Sequence, residues 1–314
     1  MDKLRALEAY VRVVELGSFT RAGEALLLPK GSITKLIQGL EAELGVRLLQ
    51  RTTRRLAVTE DGRAYFEGAQ RLLSDLSDLD GGVTRSVQRP RGRLRVDVPA
   101  AAGRHVITPA LPEFVGRFPD IVLEIGSSDR PVDLMAEGVD CVIRGGLTHD
   151  DALVARSLGA FQVITCAAPS YLARRGTPDT PQDLHRHVCV NFFSAKTGRV
   201  FPFEFERDGE RVEVIGPHQV ATNDADTYVE ASVAGLGIMQ SPRTRHLQDL
   251  LNDGRLVPVL AEWSAGRLPL YVMYPRNRHL SARVRVFVDW VVELYAGKFG
   301  QIEASARDAS VSAR

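Results

Sequence analysis

Within the first forty-five residues, apolar positions recur at helical spacing three times, and each run ends at a residue suited to stopping it. Leu4, Leu7, Val11 and Val14 mark one stripe of a helix from about Lys3 to Leu16, halted by Gly17. Ser18 suits the N-cap of a second helix, Phe19 to Leu26, in which Ala22, Gly23 and Ala25 let a neighbour approach closely. After a turn at Leu27-Leu28-Pro29, a third helix from Lys30 to Leu44 buries Ile33, Leu36, Ile37, Leu40 and Leu44, and Gly45 ends it. Two short helices joined by a tight turn, the second with small polar and basic side chains outside, form a helix-turn-helix pattern.

That pattern has a chemical use. A helix entering a major groove needs short donors and acceptors near its N-terminus. Lys30, Gly31, Ser32, Thr34 and Lys35 supply them, and the helix start at Pro29 offers N–H groups to a phosphate. Downstream, Val46 to Thr59 has apolar ends around Arg51, Thr52, Thr53, Arg54 and Arg55, a short hairpin whose arginines suit DNA backbone or minor groove. Charge agrees in direction: the chain is +1 overall, yet residues 1–60 hold ten Lys and Arg against seven Asp and Glu. The plain alternative is a three-helix core with a solvated basic loop.

The order Phe19-Thr20-Arg21-Ala22, Ile33-Thr34-Lys35-Leu36-Ile37, Leu40-Glu41-Ala42-Glu43-Leu44-Gly45, Arg51-Thr52-Thr53-Arg54 and Thr59-Glu60-Asp61-Gly62 resembles the LysR-type transcriptional regulators. Leu94-Arg95-Val96, Gly138 to Arg144 and Ala234 to Ile238 extend the resemblance over most of the chain. It implies a winged helix-turn-helix over residues 1–58 that touches DNA through Thr20, Arg21, Pro29 to Ser32, Thr34, Lys35 and Arg51 to Arg55. It also implies a linker helix and hinge over 59–90, and a periplasmic-binding-protein-like effector domain over 91–300. Gly23 stands where the family usually has Ala, Pro29 where it often has Ser, and Thr34-Lys35 where Ser-Arg is common.

Thr59 to about Gln88 reads as one long helix, with Thr59 as N-cap and Glu60 and Asp61 in its first turn. Tyr65, Ala69, Leu72, Leu76, Leu79 and Val83 alternate at four and three, a seam for pairing with a second copy or for packing on its own domain. The resemblance implies the first, as a dimer commonly assembled into a tetramer. Arg85, Arg89, Arg91 and Arg93 around Pro90 and Gly92 read as a solvated hinge.

From Leu94 strands and helices alternate, which predicts an α/β domain with a largely parallel sheet. It falls into two subdomains, about 91–165 with 267–300, and about 166–266. Such a fold places a ligand cleft between the halves, at strand C-terminal ends and helix N-termini. The candidate cleft residues are Ala100, Ala101, Ser127, Ser128, Arg144, Thr222, Asn223 and Asp224. Ordinary capping and turn roles weigh against each of them. Family members that take small carboxylates usually carry Ser or Thr after the first strand, where this chain has Pro99-Ala100-Ala101. A small, polar stretch over 301–314 is expected to be a disordered tail.

Other chemistry finds little footing. His185-Arg186-His187-Val188-Cys189 has no second ligand cluster near it in sequence, and Cys141 and Cys166 sit in apolar strand contexts that predict burial. Gly235-Leu236-Gly237 lacks the third glycine of a dinucleotide site. No nucleophile elbow, phosphate loop or paired-carboxylate motif occurs, and no apolar run reaches the roughly 18 residues of a membrane span. The reading is a cytoplasmic, non-enzymatic transcriptional regulator without cofactor or metal. Its expected partners are operator DNA with two half-sites, a small-molecule effector, further copies of itself and RNA polymerase. The rivals are a solute-binding protein and an α/β enzyme, each with a helical assembly domain.

Overall fold

The Asp2 carboxylate accepts the Arg5 N–H and so starts helix α1 (Lys3–Leu16), which Gly17 closes in the left-handed region. Ser18 caps α2 (Phe19–Ala25) through the Arg21 N–H, and α3 (Lys30–Leu44) ends on left-handed Gly45. Strands β1 (Leu49–Arg51) and β2 (Leu56–Val58) pair antiparallel in register Leu49 with Val58, and α4 (Glu60–Val83) follows. This computed structural model describes residues 2–51, 56–83, 90–146, 151–276 and 280–312. They fall into two compact units, Met1–Gln88 and Arg89–Arg314.

In the first unit α1 has two apolar neighbours, so the stripe inferred from sequence divides. Ala6, Ala9, Tyr10 and Val13 close the core with Ala22, Ile33, Ile37 and Leu40. Leu7 and Val11 turn instead to Ala69 of α4, with Tyr65, Phe66 and Leu73 beside them, and Leu4 is exposed. This corrects the expected seam. Tyr65 and Ala69 are taken up by their own chain, because Phe66, Ala69 and Leu73 present a helical face to α1. Leu72 points away at 60% exposure and Leu76 is half-buried. The side chains of Leu79 and Val83, the hinge residues Arg85 and Arg89, and Thr52 to Arg55 lie outside the described residues.

The segment linking α3 to α4 is fixed by named polar contacts. Glu41 Oε1 accepts the N–H groups of Leu48 and Leu49 at 2.9 and 3.0 Å, tying β1 to α3. Thr59 Oγ1 accepts the Gly62 N–H at 2.9 Å and donates to the Arg47 carbonyl at 2.7 Å. A Cβ on Gly62 would lie 2.2 Å from the Leu48 carbonyl oxygen, so only glycine lets α4 approach β1 this closely. Tyr10 Oη completes the joint by donating to the Gly62 carbonyl, and burial pushes this phenol's pKa up.

The second unit begins with β3 (Gly92–Val98), which runs into a helical segment made of α5 (Ala100–Ala102), a π-turn (Gly103–Ile107) and α6 (Thr108–Arg117). Pro109 has no N–H to give the preceding turn, and the widened turn accommodates it. Then come β4 (Ile121–Ser127), α7 (Leu134–Glu137), β5 (Cys141–Gly145), β6 (Leu153–Ala167) and α8 (Pro169–Arg175). The other half holds β7 (Cys189–Phe192), the hairpin β8 (Phe203–Arg207) and β9 (Glu210–Val214), β10 (His218–Thr222) and α9 (Ala225–Val233). It closes with β11 (Met239–Pro242), α10 (Arg245–Asn252) and β12 (Val257–Pro258), before β13 (Arg267–Pro275) and α11 (Ala282–Ser312).

Strand order β11-β6-β13-β5-β3-β4 is mixed rather than largely parallel: β3 pairs parallel with β4 and β5, while β13 runs antiparallel to β5 and β6. The fifteen-residue β6 joins the halves, pairing with β13 along its first part and with β11 and β12 at its end. One core lies under β3, β5 and β13, filled by Phe114, Phe287, Trp290 and Tyr295. Two others, around Tyr171 and Phe205 and around Tyr228 and Leu247, fill the second half. The tail expected beyond residue 300 is instead helical to Ser312, since Gln301 to Ala306 holds good helix formers and no proline.

Candidate nucleic-acid interface and ligand cleft

The N-terminal turns of α3 face solvent. Pro29, Lys30, Gly31 and Lys35 are exposed and Ser32 and Thr34 half-buried, because Ile33, Ile37 and Leu40 turn the opposite face into the core. Thr20 and Arg21 are exposed on α2. Among the described residues, the side chains of Arg21, Lys30, Lys35 and Arg47 form no ion pair. Elsewhere in the unit Lys3 pairs with Glu43, Arg5 with Asp2 and Arg12 with Glu15. Positive charge is thus left available around the start of α3 and satisfied along α1.

Leu27 joins this face without having been singled out in the sequence. It is 92% exposed and left-handed at φ 54°, in the turn that leads to Pro29. The turn is held by the Leu28 N–H on the Gly23 carbonyl at 2.8 Å. A Cβ on Gly23 would sit 2.6 Å from the Leu28 carbonyl oxygen, which accounts for glycine there. A leucine followed by Leu28-Pro29 read as a turn; its exposure was the missed signal.

In the second unit the candidate cleft residues are dispersed in role. Ala100 and Ala101 form the first turn of α5, and Ser127 is exposed at the end of β4. Ser128 Oγ is buried without a hydrogen-bond partner. Arg144 is an internal ion-pair member: it binds the Asp97 carboxylate, and it donates to the Arg130 carbonyl at 3.1 Å. Thr222 Oγ1 accepts the Asp224 N–H, and Asp224 caps α9 by accepting the Thr227 N–H at 2.7 Å. Those bonds from Thr227 hold the Asp224 carboxyl below its ordinary pKa. Asn223 lies between them, half-buried.

Residues not foreseen connect the two halves. Asp129 Oδ1 accepts the Ala100 N–H at 3.1 Å, and its Oδ2 accepts the Ala225 N–H at 3.0 Å. Arg104 donates to Asp226 at 2.6 Å, His105 Nε2 lies 3.2 Å from the same carboxylate, and the His105 ring stacks on His246 at 4.7 Å. His187, once weighed as a metal ligand, is buried with Nδ1 3.1 Å from Tyr171 Oη. All three cysteines are buried; burial pushes the Cys166 and Cys189 thiols up to about 12, and Cys141 up as well.

Residues 4–63 match the family described as bacterial regulatory helix-turn-helix protein, lysR family, and residues 88–296 match the LysR substrate binding domain. The chain belongs to the LysR family of transcriptional regulators. It is a DNA-binding regulator with a substrate-binding effector domain, as the resemblance implied. An HTH-type transcriptional repressor of Pseudomonas aeruginosa is 42% identical over 296 residues, covering 94% of this chain and 93% of the relative. The transcriptional activator AaeR of Escherichia coli is 30% identical over 94% of each chain. Among solved structures, CrgA of Neisseria meningitidis aligns at TM-score 0.58 and 31% identity, covering 93% of this chain and 98% of that one. One of these relatives is named a repressor and another an activator, so likeness does not carry the sign of regulation. No described helix is long and apolar enough to cross a membrane.

Proposed function

We propose that this LysR-family protein acts in the cytoplasm by binding alone, without enzymatic chemistry. A dimer or tetramer presents its α3 helices to the two half-sites of an operator, where it alters access or recruitment of RNA polymerase. The observation that carries this reading is that Arg21, Lys30 and Lys35 have no ion pair among the described residues, beside α1 cations that are paired. Lys35 and Lys30 then meet guanine edges or phosphates, Thr34 a thymine methyl, and Arg51 to Arg55 the flanking backbone. Leu72, Leu76, Leu79 and Val83 join two copies through α4. A small molecule lodges between the halves of the domain spanning about 91–300 and shifts the spacing of the DNA-binding heads.

A gel shift on the DNA upstream of the protein's own gene tests the interface. Lys35→Ala and Arg21→Ala should each weaken binding about tenfold or more. For whichever of the two contacts phosphate, the salt dependence should also become shallower by about one charge. Arg12→Ala, on the paired face of α1, should bind as the native protein does. Native affinity in both α2–α3 variants would sink the reading.

A further inference from the structure

One carboxylate in the effector domain bonds backbone from both halves. Ala100 opens the helical run that follows β3, Ala225 opens α9, and Asp129 accepts the N–H of each. Both donors belong to first helical turns, where no helical carbonyl can satisfy them and where partial positive charge favours an anion. A carboxylate has an oxygen for each, and Asp129 uses both. The basic groups of the neighbouring elements are taken as well: Arg144 by Asp97, Arg104 and His105 by Asp226. Beside Asp129, the Ser128 hydroxyl is buried with no partner.

We propose that Asp129 is the specificity residue of this cleft, a built-in anion that holds the two backbone donors and bars carboxylate effectors. The proposal rests on the reading of the cleft as the effector site. An incoming carboxylate meets like charge at Asp129 and finds both donors bonded, so the ligand admitted here carries no negative charge. Asp129 also ties α5 to α9, so the halves are bridged by the chain itself where an anionic ligand would otherwise bridge them.

Acetate is the probe, titrated calorimetrically into the full-length protein at constant ionic strength. The native protein should give no saturable heat, and Asp129→Ala, which frees both donors, should bind acetate with a dissociation constant of roughly millimolar order. Adding Ala225→Pro removes one donor at a first helical position that tolerates proline, and should weaken acetate about tenfold. Asp129→Ser, which can still cap one N–H, accompanies the alanine variant in case that variant does not fold, and should also gain acetate. The assignment is overturned if native protein binds acetate as well as the variants do, if a folded variant fails to bind it, or if the proline change leaves its affinity unaltered. A gel shift in the same variants separates the two readings. Acetate binding that leaves operator affinity untouched would sink the cleft as effector site and leave Asp129 in its role.

Discussion

The α3 surface and the effector cleft treat charge in opposite ways. Around α3 of the DNA-binding unit, Arg21, Lys30 and Lys35 stand in solvent with no ion-pair partner among the described residues, whereas in the effector domain Arg144, Arg104 and Asp129 are each bonded within the chain. A surface meant for a polyanion gains from cations that release counterions only when the partner arrives. A cleft between two halves of one chain gains from charges already satisfied, since an unpaired charge there costs desolvation. Removing a charge should therefore cost operator affinity at the α3 surface and folding stability in the effector cleft.

The largest effect expected concerns the frame that holds the first surface in place. Gly62→Ala sets a methyl 2.2 Å from the Leu48 carbonyl, and neither backbone can yield without breaking the Thr59 and Tyr10 bonds at that joint. Calorimetry should show the DNA-binding unit destabilised by about 3 kcal/mol and the effector domain's transition unmoved. A loss confined to the effector transition would break the assignment of this glycine. Asp97→Asn comes next. It leaves the Arg144 guanidinium, only 16% exposed, without its carboxylate, and should cost the effector domain about 2 kcal/mol. Lys35→Ala should by contrast leave both melting transitions where they were. If Asp97→Asn cost no stability, the contrast between the α3 surface and the effector cleft would fail.

How far the sequence could be read follows the same division. The Pro29–Lys35 surface was legible because Ile33, Ile37 and Leu40 fix the helical phase and so decide which neighbours face out. Ser18, Gly17 and Gly45 carried their boundaries in their own chemistry. Over one or two heptads, however, spacings of 3.5 and 3.6 cannot be told apart. Tyr65 and Ala69 therefore read as a partner seam although they pack on α1. The fifteen-residue β6 was missed because it changes partners midway and is bulged near Gly159, which destroys a clean alternation. No motif or periodicity marks Asp129, an acid that follows Ser127-Ser128; only the fold brings its carboxylate to the Ala100 and Ala225 N–H groups, far apart in sequence.

The smallest expected effect tests whether satisfaction within the effector domain extends to its neutral groups. Tyr171 Oη accepts the Val188 N–H at 2.8 Å and lies 3.1 Å from His187 Nδ1, a nitrogen that in one tautomer of the neutral imidazole can accept the phenol proton. Burial lowers the His187 pKa below its ordinary 6.5. A depressed histidine pKa means that the unfolded chain takes up the proton first. Stability is then full above about 6.5 and declines as pH falls from there toward the folded-state value. The effector transition should drop slightly over that interval, and His187→Asn, which keeps an acceptor for Tyr171 but cannot titrate there, should flatten the decline. A slope unchanged in the variant would assign the pH dependence to groups other than His187, and stability that rises on acidification would contradict a neutral, hydrogen-bonded imidazole.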